Sequence, residues 1–492
     1  MNMHISAPTL GVSGALFLLA ALSLAVAGCR TNPTAALGDV QKTIVQRTGY
    51  TLEWPQTVAE NDKADAAVSQ LLQTNLTADS AVQIALLSNR SLRATLEEIG
   101  ISRADVIQAG LPRNPELSGH VRFPDRPPSA ANTEFGLAED FFDLLLLPLR
   151  KRVAAAQFDQ TKLRVSHEVL QLAAQVKSGF YTVQARQQLL TRLQAIAEVN
   201  EAAVDLSTRQ YKAGNITDLE FANQQASFQQ AKLEWGKTQA QLRVDRERLN
   251  RVLGLWGHQT EWKVADQLPP MPVNEPSLEH LETIAVNQRL DLAAARQRVA
   301  AASLALGLRK NTRYLPASIK LGVDTERDSD RQTVTGPSFD LELPIFDQGQ
   351  AAIPRLQAQY RQAQWRLEAL ATEIRSEVRQ SRDALIAARD LATFYEKIYL
   401  PQRIRIVNET LLQYNAMQKS TFELITAKER ELSAEREYAE AWRDYWIYRA
   451  ELEKALGGRL DAELTSISNS LSPSDGERER GNKKNQKHEH KR

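Results

Sequence analysis

Four short stretches of the chain alternate apolar and polar residues with a period of two. The alternation is strict in "ASIKLGVD" (317–324) and "PSFDLELP" (337–344), and weaker in "ELSGHVRF" (116–123) and "TEFGLAED" (133–140). Such a period predicts β-strands, here arranged as two hairpins. The pattern fits either a half-buried sheet in water or the wall of a membrane barrel with lipid outside and water within.

The number of strands limits the barrel alternative. Two hairpins supply four strands, whereas closed transmembrane barrels begin at about eight strands. An open four-stranded sheet would leave unpaired edges in lipid. A barrel would therefore need strands from several copies of the chain, and in its wall Leu341 would face lipid and Asp340 the aqueous interior.

Long stretches free of helix-breaking residues follow each predicted hairpin. Residues 150–213 contain no proline and a single glycine, Gly179, and residues 351–456 contain no glycine and only Pro354 and Pro401. A helix over 150–213 would be about 95 Å long at 1.5 Å per residue. A coiled-coil filament would explain such helices but not the strands between them.

The two halves of the chain repeat one another. Four blocks recur in the same order at an offset that drifts only from 200 to 204, and three examples are Ala85–Leu92 with Ala285–Leu292, Phe135–Asp143 with Phe339–Asp347, and Tyr211 with Tyr414. Each half is predicted to fold as helix, hairpin, very long helix, turn and long helix. We assign a first repeat to 76–268, a linker to 269–276 and a second repeat to 277–460.

The only cysteine follows an apolar N-terminal run. Residues 10–27 are mostly apolar, and Val26-Ala27-Gly28-Cys29 matches the bacterial lipobox. The sequence therefore predicts a signal peptide over 1–28, a lipid on Cys29 and a mature N-terminal segment over 29–75. Arg30, rather than Asp, favours sorting to the outer membrane. The alternative for Cys29 is an ordinary buried thiol.

Composition argues against nucleic-acid binding and against catalysis. The formal net charge is +1, so there is no general attraction for nucleic acid. The seven histidines show no metal-ligand spacing, a single cysteine excludes cysteine-rich zinc sites, and no phosphate-binding loop is present. We predict a passive conduit without metal or cofactor. Residues 461–492 are predicted to be a disordered charged tail, in which His488 and His490 either contact metal or are simply solvated.

Four blocks of the sequence resemble the TolC-like outer membrane efflux family. They are "LTADSAVQIALLSNRSL" (76–92), "QAGLPRNPELS" (108–118), "RQYKAGNITDLEFANQQ" (209–225) and "LELPIFDQGQ" (341–350). The resemblance implies a mainly α-helical fold in which helical hairpins form a periplasmic tunnel and four strands per chain cross the outer membrane of a Gram-negative bacterium. It also implies a homotrimer with a twelve-stranded barrel, partnered by a periplasmic adaptor and an inner-membrane pump.

The same resemblance assigns residues to the turns that join the long helices. In the family these turns close the tunnel through a tyrosine, a basic residue and an acid, and the matching positions here are Tyr414, Lys419 and Glu220. Glu423 matches a lumenal acidic ring, and Gly214 supplies the helix-tip turn. Two positions depart from the family pattern, namely Met417 in place of the turn glycine and Thr426 in place of a second acid. The alternative is that all of these are ordinary exposed helix ends.

Two other functions remain to be separated from the efflux channel. A lipid-tethered periplasmic coiled-coil spacer or adaptor would lack two symmetric strand pairs. A diffusion porin would need many more strands and far less helix. Cargo is open between heavy-metal cations and drugs or other small molecules.

Overall fold

The computed structural model describes residues 37–126, 130–272, 278–316 and 318–460. The signal peptide, Cys29 and Arg30, the greater part of the predicted linker, and the tail 461–492 with His488 and His490 lie outside the described residues.

The first repeat and the segment before it form six helices and one hairpin. In chain order they are α1 (Leu37–Thr48), α2 (Val58–Leu71), α3 (Ala78–Ser88), α4 (Arg90–Ala109), β1 (Glu116–Arg122), β2 (Asn132–Asp140), α5 (Phe141–Lys212) and α6 (Asp218–Leu253). The second repeat has the same order of elements: α7 (Leu281–Gln288), α8 (Leu290–Asn311), β3 (Ile319–Arg327), β4 (Thr333–Leu341), α9 (Ala352–Phe394), α10 (Leu400–Asn415) and α11 (Thr421–Leu456).

Helix α5 begins directly where β2 ends, nine residues before the start expected from the glycine and proline spacing. Asp140 caps it, because its carboxylate accepts a hydrogen bond of 3.2 Å from the Asp143 backbone N–H. Pro148 lies within the helix, where its missing N–H leaves the Leu144 carbonyl without an intrahelical donor. The helix has 72 residues, so it extends for about 108 Å.

A π-helical turn interrupts the corresponding helix of the second repeat. It spans Tyr395–Tyr399, between α9 and α10. Pro401, in the first turn of α10, has no N–H to offer the carbonyl of Lys397, and a wider turn accommodates this loss. Phe394, Tyr395 and Tyr399 pack around the turn with ring centroids 5.6–6.3 Å apart. No such break occurs in α5.

Both repeats end their second long helix in the same way. Gly254 follows α6 and Gly457 follows α11, each with φ of 78°. Gly254 fits against the break between α3 and α4, where the Asn89 side chain donates a 2.7 Å hydrogen bond to the Val252 carbonyl. Gly457 packs in the same way against Arg289, which precedes α8. Only glycine takes this backbone conformation without strain, so each joint depends on it.

The core lies where α5 packs against α4, α6, α8 and α11. Tyr181 of α5 stacks on Trp446 of α11 at 5.2 Å and thereby joins the two repeats. Helix α1 runs parallel to α5, since Asp39 at its start bonds to Lys162 at 3.1 Å and the Tyr50 ring beyond its end lies 6.0 Å from the Lys177 ammonium. Among the described residues, no helix is both long enough and apolar enough to cross a membrane.

The four strands form one antiparallel sheet in the order β1-β2-β3-β4. The central pair joins the repeats, with Leu137 opposite Val323. In the single chain β1 and β4 are edge strands, and their outer hydrogen-bonding groups have no strand partner. The strand assignments made from alternation are confirmed, with shifts at the ends only.

Candidate functional site

One face of the sheet is apolar and exposed. Side chains that share this face are Leu117, Val121, Phe135, Leu137, Leu321, Val323, Phe339 and Leu341, and the exposed fraction of each is between 46% and 79%. Facing residues reinforce one another, since Phe339 lies opposite Leu321. A contiguous apolar face of this size on a soluble monomer would be unusual, so it requires lipid or a partner.

The opposite face of the sheet is polar and carries ion pairs. Lys320 bonds to Glu116 at 2.5 Å across three strands, and Arg122 bonds to Glu134 at 3.1 Å. Where β2 meets α5, the buried Asp143 accepts a 2.8 Å bond from Arg150. The two faces therefore differ as the sequence alternation predicted, with Leu341 on the apolar side and Asp340 on the polar side.

The turn between α5 and α6, the first tip, is closed by a left-handed glycine. Gly214 has φ of 72°, and the Asn215 N–H donates to the Gln210 carbonyl at 2.9 Å. Thr217 then caps α6 in a capping box, in which its N–H donates to the Glu220 carboxylate at 2.8 Å and the Glu220 N–H donates to its hydroxyl at 3.2 Å. These hydrogen bonds lower the pKa of Glu220.

The second tip, between α10 and α11, has the same geometry with different residues. Met417 occupies the position of Gly214 and has φ of 57°, with its side chain 96% exposed. Ser420 and Glu423 form the capping box, with bonds of 2.9 Å and 3.2 Å. Lys419 donates a 2.6 Å bond to Glu423 and, together with Ser420, lowers the pKa of that carboxyl.

Within the chain the structure does not make the expected gate contact. Lys419 pairs with Glu423 rather than with Glu220, and both glutamates point back onto their own helix starts because each is the third residue of a capped helix. Tyr414 lies one turn before Met417 and is 37% exposed. Thr426 donates to the Phe422 carbonyl within its own helix, at 2.9 Å. A contact of Glu220 with Tyr414 and Lys419 between chains stays a prediction.

The first tip contains three contacting residues that the sequence assignment left out. The Tyr211 ring stacks on Phe221 with centroids 4.8 Å apart, and a hydrogen bond with Asp218 raises the pKa of the Tyr211 hydroxyl. The signal was present, because Tyr211 aligns with Tyr414 in the repeat. Over the described ranges, no group of three or more His, Cys, Asp or Glu side chains could hold a metal ion.

Known proteins share both this sequence and this fold. Residues 81–255 match the model of the family described as outer membrane efflux protein. The chain belongs to the outer membrane efflux protein family. It is 22% identical over 364 residues to the cobalt-zinc-cadmium resistance protein CzcC of Cupriavidus metallidurans, covering 72% of this chain and 83% of that protein.

Solved structures of outer membrane proteins have the same fold. The outer membrane protein VceC of Vibrio cholerae superposes with a TM-score of 0.65 at 15% identity, covering 83% of this chain and all of that one. The open state of the MtrE outer membrane channel of Neisseria gonorrhoeae gives 0.61 at 18% identity, with 78% and 90% covered. This outer membrane efflux family of Gram-negative bacteria consists of channels rather than enzymes, as the sequence predicted.

Proposed function

We propose that this chain is the outer-membrane channel component of a tripartite efflux system. It would be a passive conduit from periplasm to exterior, loaded by an inner-membrane pump through a periplasmic adaptor. The observation that carries the proposal is the sheet, which has an exposed apolar face, a polar face and two unpaired edges at the far end of helices about 100 Å long. A periplasmic spacer would have no use for such a sheet.

The open edges suggest how the channel is assembled. A transmembrane sheet must pair every edge, so β1 of one copy would join β4 of the next. Three copies supply twelve strands, enough to close a barrel with the apolar face towards lipid. The long hairpins would then line a tunnel below it.

A lipid on Cys29 fits the position of α1. Asp39 bonds to Lys162, which lies 21 residues, or about 32 Å, along α5 from Phe141. The ten residues from Cys29 to Asp39 can span at most about 36 Å. A lipid at Cys29 can therefore just reach the level at which helix and sheet meet. We expect Cys29→Ser to abolish labelling with palmitate, and unchanged labelling would exclude this site.

Cargo is proposed at the level of metal ions or drugs. The name of the CzcC relative concerns cobalt, zinc and cadmium resistance, which supports metal ions. Since the described residues contain no cluster of metal ligands, a metal cargo would pass without a resident binding site in that part of the chain.

Reconstitution tests the proposal against the spacer alternative. Detergent-purified protein should migrate as a trimer on native gels, show heat-modifiable migration, and produce conductance steps in planar bilayers. A protein that stays monomeric without detergent and never conducts would be a spacer.

We further propose that the two tips gate the tunnel through contacts between chains. Glu220→Gln with Lys419→Gln should raise single-channel conductance, because it removes the charges while glutamine at this position still completes a capping box. An exposed ion pair contributes only about 0–1 kcal/mol, which suits a contact that partners must break. Wild-type conductance from an intact double-mutant trimer would place the gate elsewhere.

A further inference from the structure

The polar face of the sheet carries more carboxylates than cations. The ionisable side chains on this face are Glu116, Glu134, Asp140, Asp324, Glu326, Asp340, Arg122 and Lys320, together with His120. Six carboxylates therefore face two cations, so the face has a net charge of −4 with His120 neutral. This excess contrasts with the whole chain, whose net charge is +1.

The ion pairs on this face leave particular carboxylates uncompensated. Lys320 pairs with Glu116, and Arg122 pairs with Glu134. Of the described residues, none forms an ion pair with Asp324, Glu326 or Asp340. Glu326 accepts only a neutral hydrogen bond, 2.7 Å long, from the amide of Asn132.

Small residues surround Asp324 in the middle of the sheet. The row that crosses the four strands at this level consists of Ser118, Gly136, Asp324 and Gly336. Gly136 is needed there, because a Cβ at that position would overlap the Asp324 carboxylate. With no bulky neighbour in its row, Asp324 is the one charged group at this depth of the described sheet.

We infer that the polar face of the sheet makes the channel cation-selective, with Asp324 and Glu326 as the principal selectivity residues. The inference rests on the proposed function, in which this face lines the barrel interior. Three copies would place six of these carboxylates around one aqueous path. A passage lined by one sign of charge raises the local concentration of counter-ions about tenfold or more, which favours cationic cargo over anionic cargo.

Reversal potentials across a KCl gradient test the inference. At about 0.1 M salt, where the Debye length is about 10 Å, wild-type channels should prefer K⁺ over Cl⁻ by about tenfold. At about 1 M the Debye length shrinks to about 3 Å, and the preference should fall. Asp324→Asn with Glu326→Gln should move the reversal potential towards zero at low salt.

Two variants serve as matched controls. Glu139→Gln removes a carboxylate from the same sheet but from the opposite face, where Glu139 is paired with Leu321 in the register, so it should leave selectivity unchanged. Glu423→Gln removes the tip carboxylate that Lys419 already neutralises and should also have little effect. Should Asp324→Asn prevent assembly, Asp340→Asn with Glu326→Gln replaces it, and a smaller shift in the same direction is expected.

Each outcome has a definite meaning. Selectivity that falls in the double variant and persists in Glu139→Gln supports the inference. Wild-type channels without cation preference overturn it, and so does a double variant as selective as wild type, which would place selectivity in another part of the channel. Wild-type protein that never conducts overturns the proposed function, and the inference with it.

Discussion

Gly214 and Met417 occupy equivalent positions at the two helical tips and differ in what they cost the backbone. Both are left-handed, and both are followed by the same bond from an N–H to the carbonyl five residues earlier. A residue with a Cβ takes this conformation at a cost of about 1–2 kcal/mol, which glycine avoids. The first tip is therefore relaxed and the second is strained.

This difference predicts opposite sensitivity to alanine. Gly214→Ala should destabilise the first tip by about 1 kcal/mol, which corresponds to roughly fivefold faster hydrogen exchange of its turn amides. Met417→Ala should leave exchange at the second tip unchanged, since methionine already bears the cost. Mass spectrometry of tip peptides measures both, and equal acceleration in the two variants would contradict the assignment.

The roles of Glu220 and Glu423 show what sequence reasoning could and could not reach. Family register placed both residues at the tips, where the structure has them. The capping-box spacing was readable in Thr217–Glu220 and Ser420–Glu423, but register alone gave the carboxylates a gating role. Which partner a carboxylate takes depends on local backbone geometry, and the hydrogen bonds to its own helix start decide it here.

At the scale of helices and strands, the joints at Gly254 and Gly457 tie each long hairpin to the short helices beside it. A Cβ on Gly254 would lie 2.7 Å from the Ser88 carbonyl oxygen and 2.9 Å from the Asn89 Cα. These are backbone atoms of another element, so they cannot turn aside. The sequence indicated a helix end at this glycine, but the close contact joins residues some 165 positions apart and only the fold reveals it.

Gly254→Ala should therefore destabilise the protein by about 2 kcal/mol or more, combining left-handed strain with the overlap. Gly236→Ala is the matched control, because Gly236 lies within α6 and a Cβ there meets nothing within 4 Å. That variant should stabilise by about 0.5–1 kcal/mol. Thermal unfolding followed by circular dichroism compares them, and similar midpoints would refute the joint.

At the scale of the whole molecule, the depth of each sheet residue in the proposed barrel sets its tolerance of charge. Val323 lies in the middle of β3, whereas Leu341 is the last residue of β4 and lies nearest the helices. Both are exposed on the apolar face. Alternation predicted the face of each residue, but depth follows from the pairing of β2 with β3, which brings the two repeats together.

An arginine on the lipid face costs about 2–4 kcal/mol at the membrane midplane and about 0–1 near its surface. Val323→Arg should therefore impair trimer assembly strongly and Leu341→Arg only mildly, while Asp340→Arg on the polar face is tolerated. Trimer yield on native gels measures the order. Equal yields from all three variants would mean that the sheet lies in water.

The π-helical turn gives the two arms of the molecule different mechanics. Helix α5 is an unbroken rod from the sheet to the first tip, so a push at one end is transmitted to the other. The second arm has a joint at Tyr395–Tyr399, two-thirds of the way to its tip. A ring of three chains would thus alternate rigid staves with hinged ones. The hinged staves can swing at the tips while the rigid ones hold the strands at the far end in register.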